Sequence, residues 1–167
     1  MRTPIRKPGK YTWVKTDPYI TKEKYNKLKN SLTRLLKIER PLAITDVKEQ
    51  AAFGDFSENA AYSIAKSNLR SINNRILKIE DHLKNAIIIN VGTEQCSVRS
   101  DTVQIGNTVT IESNSKTKTY QILGSAEVDI AKNIISHNSP LGASLMGKRV
   151  GEIIRVKDKE IKLIAIN

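Results

Sequence analysis

One break between two long apolar repeats constrains this chain more than any other feature. Upstream of Phe53-Gly54-Asp55-Phe56-Ser57-Glu58-Asn59, apolar residues recur at Tyr25, Leu28, Leu32, Leu35, Leu42 and Val47. Downstream they recur at Tyr62, Ala65, Leu69, Ile72, Ile76, Ile79 and Leu83, in unbroken steps of three and four. Such steps line up one face of an α-helix. Matched residues, such as Leu32 with Ile76, lie at nearly equal distances on either side of Gly54. The pattern predicts an antiparallel coiled-coil hairpin with Gly54 at its tip. Two helices of about 30 residues, rising about 1.5 Å per residue, make a rod about 45 Å long.

The hairpin has a legible start and one flaw. Thr21 is placed to cap the first helix by accepting a hydrogen bond from the Lys24 N–H. Pro41 interrupts that helix, and the apolar phase shifts after Leu42 towards Ile44, Val47 and Ala51. A proline inside a helix removes a hydrogen bond. A kink near Pro41 is expected rather than a helix end, because the pairing continues beyond it. Residues 1–20 read as an irregular basic lead-in with Pro4, Pro8, Gly9 and Pro18, in which Tyr11 and Trp13 are free to dock.

After Asn85 the texture changes. Residues 86–91 are a short apolar link, and the domain boundary falls near Ile89 to Gly92. Beta-branching and partial alternation predict strands over 103–111, 118–123, 153–156 and 161–166. Asn114-Ser115 and Asp158-Lys159 suit the connecting turns. Pro140 to Met146 reads as one short helix ending near Gly147. The fold class is therefore α+β: a helical hairpin over 21–89, then a mostly antiparallel β domain over 90–167.

Charge narrows the partners. Residues 1–90 carry 18 basic and 9 acidic side chains, and residues 91–167 carry 10 and 8, within a total of +11. A positive hairpin favours a polyanionic partner, although a solvated charged face explains the same numbers. Cys96 is the only cysteine, so an internal disulfide is excluded, and no Cys/His cluster has zinc spacing. No apolar run approaches the ~18 residues of a membrane span. These features predict a soluble cytoplasmic protein. A hairpin that buries its own stripe predicts a monomer.

Asp55 and Glu58 stand three residues apart at the tip. That spacing resembles a capping box, and negative charge stabilises a helix N-terminus. The same pair suits Mg²⁺, which takes one or two protein carboxylates and keeps water for the rest of its shell. Phe53 and Phe56 either staple the turn or touch whatever the tip enters.

The run Gly54-Asp55-Phe56-Ser57-Glu58-Asn59-Ala60-Ala61-Tyr62 resembles the tip signature of the Gre transcript-cleavage factors, the GreA/GreB family of bacterial transcription elongation factors. Glu39-Arg40-Pro41 is similar to the family's Arg-Pro step. So are Glu127-Val128-Asp129, Ile134 to Leu141 and Gly147-Lys148 in the second domain. The chain differs at Ala61, where many members carry a third acidic residue.

The resemblance implies a C-terminal FKBP-like domain that docks on bacterial RNA polymerase, and a coiled coil that enters the polymerase secondary channel. There the tip stimulates Mg²⁺-dependent cleavage of backtracked nascent RNA. Asp55 and Glu58 would then help to hold a Mg²⁺ shared with the polymerase active centre, so the chain activates another enzyme's reaction. By the same resemblance Lys66 and Arg70 are placed to contact the phosphates of the nascent RNA 3′ end, although a solvated helix surface explains them equally. Asp129, Ser139, Pro140 and Leu141 face the polymerase, while Ser139-Pro140-Leu141 reads equally as the start of a short helix. Lys22, Lys24, Lys27, Lys29 and Lys37 supply general attraction to the polymerase–nucleic-acid assembly, DNA included. Prolyl isomerisation is not expected, since Tyr120 is the only aromatic residue after Tyr62. Two other classes remain: a channel-binding regulator that does not promote cleavage, and a metal-free hairpin that binds structured RNA or acts as a chaperone arm.

Overall fold

The computed structural model describes residues 17–53, 59–89, 91, 101–113, 116–156 and 159–167. Thr21 starts the first helix as expected, its Oγ1 accepting from the Lys24 N–H at 3.2 Å. Helix α1 (Lys22–Arg34) runs into a π-helical turn (Leu35–Glu39) and continues as α2 (Arg40–Ala52). Helix α3 (Ala60–Asn85) returns along both. Leu35, Ala43, Ile72 and Ile76 form the buried seam, with Leu32, Leu69 and Ile79 packed against it.

The predicted kink at Pro41 takes the form of this π turn. A proline in an uninterrupted α-helix clashes with the carbonyl four residues before it. Here the Arg40 N–H reaches back five residues to the Leu35 carbonyl, and the wider turn accommodates the ring at the start of α2. The extra residue changes the phase. Leu42, expected in the seam, is 66% exposed, and Ala43 takes its place at 4%.

The lead-in is not irregular to its end. Tyr19–Thr21 form strand β1, which pairs in parallel with β2 (Ile87–Ile89). Residues 87–89, read as a plain apolar link, are therefore a strand tied to the start of α1. Tyr11 and Trp13 lie outside the described residues, as do Cys96 and the predicted turn residues Asn114, Ser115 and Asp158.

The second domain is a five-stranded sheet in the order β5-β4-β3-β7-β6. Its strands are β3 (Thr108–Ser113), β4 (Lys116–Leu123), β5 (Ile134–Ser136), β6 (Ile153–Val156) and β7 (Lys159–Ile166), with the short helix α4 (Pro140–Leu145) between β5 and β6. Lys159, assigned to a turn from sequence, begins β7. Strand β3 starts five residues later than predicted, because Gly106 at φ 102° turns the chain before Thr108. The sheet is mixed. Strand β5, absent from the sequence reading, pairs in parallel with β4. Two single-turn 3-10 helices, Ser125–Glu127 and Ile130–Lys132, carry the chain across for that pairing.

Val103, Val109, Ile111, Ile122, Leu145, Ile154, Ile161 and Leu163 make the core of this domain. A register shift between Thr110 and Ile111 leaves Ile164 outside the β3–β7 ladder. Ile161 and Leu163 point inward before the bulge and Ile166 packs inward after it, as one extra residue in a strand requires. Gly147, the expected helix end, follows α4 at φ 74°.

Candidate functional site at the two ends of the hairpin

The tip is held from both sides by Asn59. Its Oδ1 accepts from the Tyr62 N–H at 2.9 Å and so caps α3. Its Nδ2 donates to the Gln50 carbonyl at 3.0 Å, in the last turn of α2. One side chain thus caps one helix and staples the other to it. This corrects the capping reading of the acidic pair, since the N-cap of α3 is Asn59 and not Asp55. Asp55, Glu58 and Phe56 lie outside the described residues. Phe53, just after α2, is 78% exposed.

Lys66 and Arg70 are exposed and one turn apart on α3. The Lys66 ammonium lies 5.7 Å from the centroid of the Tyr62 ring, where a cation is attracted to the aromatic face. On the opposing helix Glu39 draws Arg34 at 3.0 Å and Arg75 at 4.0 Å. These are exposed pairs that tie cations to the rod surface at little net gain.

The candidates on the second domain divide. Ser139 caps α4, accepting from the Gly142 N–H at 3.0 Å and donating to the Ser136 carbonyl at 2.7 Å. Leu141 packs on the core, and Pro140 is exposed in the first helical turn. The helix-start reading accounts for Ser139 and Leu141. Asp129 accepts from the Ala131 N–H at 3.0 Å and lies 3.8 Å from the Lys132 ammonium. Beside it Val128 is half-exposed and Ile130 is 88% exposed. Asp129, Val128, Lys132, Leu123, Lys24 and Lys27 all line a groove of about 570 Å³ at the hairpin base.

That base carries a cluster the sequence reading missed. Thr21 donates to Glu127 twice, from its N–H to Oε2 at 2.7 Å and from its hydroxyl to Oε1 at 2.5 Å. Asp17 Oδ2 accepts from the Ser125 N–H at 2.6 Å and the Ser125 hydroxyl at 2.7 Å. His137 Nδ1 lies 3.5 Å from the same Asp17 oxygen, and the imidazole meets the Tyr19 ring edge-on at 5.5 Å. Burial pushes the Asp17 carboxyl up. The hydrogen bonds from Ser125 and Tyr19, with the His137 charge, outweigh it and hold the group below its ordinary value. These partners are more than 100 residues apart in sequence, so no local pattern could have joined them.

Two family models account for most of the chain. The N-terminal transcription elongation factor GreA/GreB model matches residues 18–88. The GreA/GreB C-terminal model matches residues 98–167. The chain belongs to the GreA/GreB transcription elongation factor family. Among its relatives is a transcription elongation factor GreA of Pelobacter propionicus, 35% identical over 153 residues, covering 88% of this chain and 94% of that protein. Another, from Thermoanaerobacter pseudethanolicus, is 39% identical over 140 residues, covering 83% and 87%. Among solved structures, the GreA factor homolog 1 of Thermus thermophilus matches with TM-score 0.40 at 25% identity, covering 89% of this chain and 97% of that one. Membership extends over the hairpin and the sheet alike. Among the described residues no helix is long and apolar enough to cross a membrane.

Proposed function

We propose that this GreA/GreB-family chain inserts its hairpin into the secondary channel of bacterial RNA polymerase and stimulates cleavage of backtracked nascent RNA. The supporting observation is the stapled tip. A helical rod ends in two carboxylates whose neighbour Asn59 already supplies the helix cap, so the acidic pair is not needed for that task. Asp55 and Glu58 are the residues that would hold a shared ion. Asn59 is engaged through both its amide atoms, leaving Asp55 and Glu58 as the carboxylates at the tip. Mg²⁺ accepts one or two protein carboxylates and fills its octahedron from water and other groups. When bound, paired ions activate water and stabilise the leaving oxygen of a phosphodiester. The chain's own part is to carry Asp55 and Glu58 to that place, beside the Asn59 that caps α3 and staples it to α2.

Lys66 and Arg70, exposed on the α3 side of the tip, face the phosphates of the extruded 3′ end. The β domain stays outside the channel and docks through Asp129 and Pro140, with the exposed Val128 and Ile130 beside Asp129. The protein works as a cytoplasmic monomer.

The test adds the protein to backtracked elongation complexes with Mg²⁺ and resolves the RNA on a gel. Short fragments are expected, with Asp55→Ala slower by about tenfold or more, since even groups one shell out from a metal are worth about 10–100-fold. Absence of fragments from the wild type refutes the reading in favour of a channel binder without cleavage activity. Cleavage by Lys66→Ala/Arg70→Ala should depend less steeply on salt, as fewer phosphates are neutralised.

A further inference from the structure

We infer that Glu127 aims the hairpin: it is a positioning residue that fixes the direction in which the β domain points the tip. The inference rests on the reading above, in which the β domain is the docked part and the tip is the working part.

The segment Asp17 to Thr21 is secured at both ends. At one end Asp17 holds the N–H and hydroxyl of Ser125. At the other Glu127 accepts from the N–H and hydroxyl of Thr21. That hydroxyl is also the cap of α1, since it accepts from the Lys24 N–H. Between the anchors the backbone lies against Gly124. A Cβ there would come within 1.8 Å of the Tyr19 carbonyl oxygen, so any other residue would lift the segment off the sheet.

The segment also gathers both helices. Strand β1 leads directly into α1, and its partner β2 begins two residues after α3 ends, with only Ala86 between. Whatever holds Tyr19–Thr21 therefore holds the whole base of the hairpin. One anchor would leave a pivot. Two anchors four residues apart, about 13 Å along an extended chain, define a line. Glu127 is the anchor nearer the hairpin. Both its hydrogen bonds are charge-assisted, a class roughly twice as strong as neutral ones.

Leverage makes this direction matter. Residues 22–52 form a rod of about 45 Å. A tilt of about 5° at its base moves its end by about 4 Å at that length. A misplacement of about 1 Å can cost about 10²-fold in a positioned reaction. Domains joined within one chain move relative to each other unless something opposes it, and the Glu127–Thr21 contact lies where opposition has most effect.

The experiment places spin labels through Lys48→Cys on α2 and Lys118→Cys on β4, in a Cys96→Ser background, and measures their distance distribution without polymerase. Cleavage of backtracked complexes is titrated in parallel without labels. Glu127→Ala is expected to broaden the distribution and to lower the maximal cleavage rate about 10–100-fold, while the half-saturating concentration hardly changes. Glu127→Gln keeps a carbonyl acceptor for the Thr21 N–H but loses the one for its hydroxyl, so its distribution should be broader than wild type and narrower than Glu127→Ala. A Glu127→Gln distribution as narrow as wild type, with the alanine variant unfolded, overturns the inference. Helix content by circular dichroism establishes that each variant is folded, and Glu127→Gln carries the test if the alanine variant is not. A distribution as narrow as wild type in Glu127→Ala overturns the inference. So does a loss confined to the half-saturating concentration, which would make Glu127 a docking residue. A wild type that releases no fragments refutes the cleavage reading alone, because the distance measurement needs no cleavage.

Discussion

Asn59 concentrates two tasks that can be separated by substitution. As a cap it is worth about 1 kcal/mol, and as a staple it adds one further hydrogen bond, about 1 kcal/mol net. Asn59→Ala should therefore lower stability by about 2 kcal/mol in urea titrations followed by circular dichroism. Asn59→Ser keeps an acceptor for the Tyr62 N–H but does not span to Gln50, and should lose about half as much. Equal stability in all three proteins would mean that the hairpin end does not depend on this side chain. Asp17 gives a prediction in pH. Its folded carboxyl is held below its ordinary value of 3.8. The stability it adds is thus fully present above that value and is lost as pH falls through the lowered folded one. Urea midpoints should drop with acid more steeply in wild type than in Asp17→Asn, in which the titrating group is gone. Parallel acid profiles would show that the Ser125 hydrogen bonds contribute nothing. At this scale the sequence located Thr21 correctly, because a cap acts on residues three positions away. It put the second cap on the wrong residue, because Asp55, Ser57 and Asn59 all carry capping side chains and spacing alone does not choose among them.

The first helix shows how an element can keep its type while its faces move. Periodicity identified the hairpin and its pairing, since Leu35, Ile72 and Ile76 are buried as the matched spacing requires. It erred after Pro41, because a count in steps of three and four assumes an α-helix throughout, and the π turn adds a residue to the count. The consequence is testable at two adjacent positions. Leu42→Ala changes an exposed side chain and should alter stability by less than about 0.5 kcal/mol. Ala43→Leu forces three extra carbons into the seam beside Ile72 and should cost about 1–3 kcal/mol. The reverse order in thermal melts would put Leu42 in the seam and remove the π turn. Strand β5 was missed for a different reason. Ile134-Ile135-Ser136 is too short to alternate legibly, and its partner β4 is reached only through two 3-10 turns.

At the scale of the whole molecule, both halves were legible and the contact between them was not. Apolar spacing separates a rod from a sheet. Nothing in the spacing joins Asp17 to Ser125 or Thr21 to Glu127, since such pairs depend on how the finished parts meet. The proposed function then makes rod length a requirement with a sharp test. Removing residues 28–34 from α1 and 74–80 from α3 takes one heptad from each helix, opposite each other about the tip. Seven-residue deletions keep the apolar faces nearly in phase, so Leu35 follows Lys27 in the role of Leu28 and the seam re-forms. The N-cap, the β1–β2 pair and the Glu127 contact are untouched. The tip retreats by about 10 Å at 1.5 Å per residue, far beyond the reach of a carboxylate to a metal. The shortened protein should therefore still compete with wild type for polymerase, at similar concentration, while releasing no RNA fragments. Cleavage at the wild-type rate would mean that the tip does not act at a fixed depth, and the lever arm from Thr21 to Asp55 would lose its purpose.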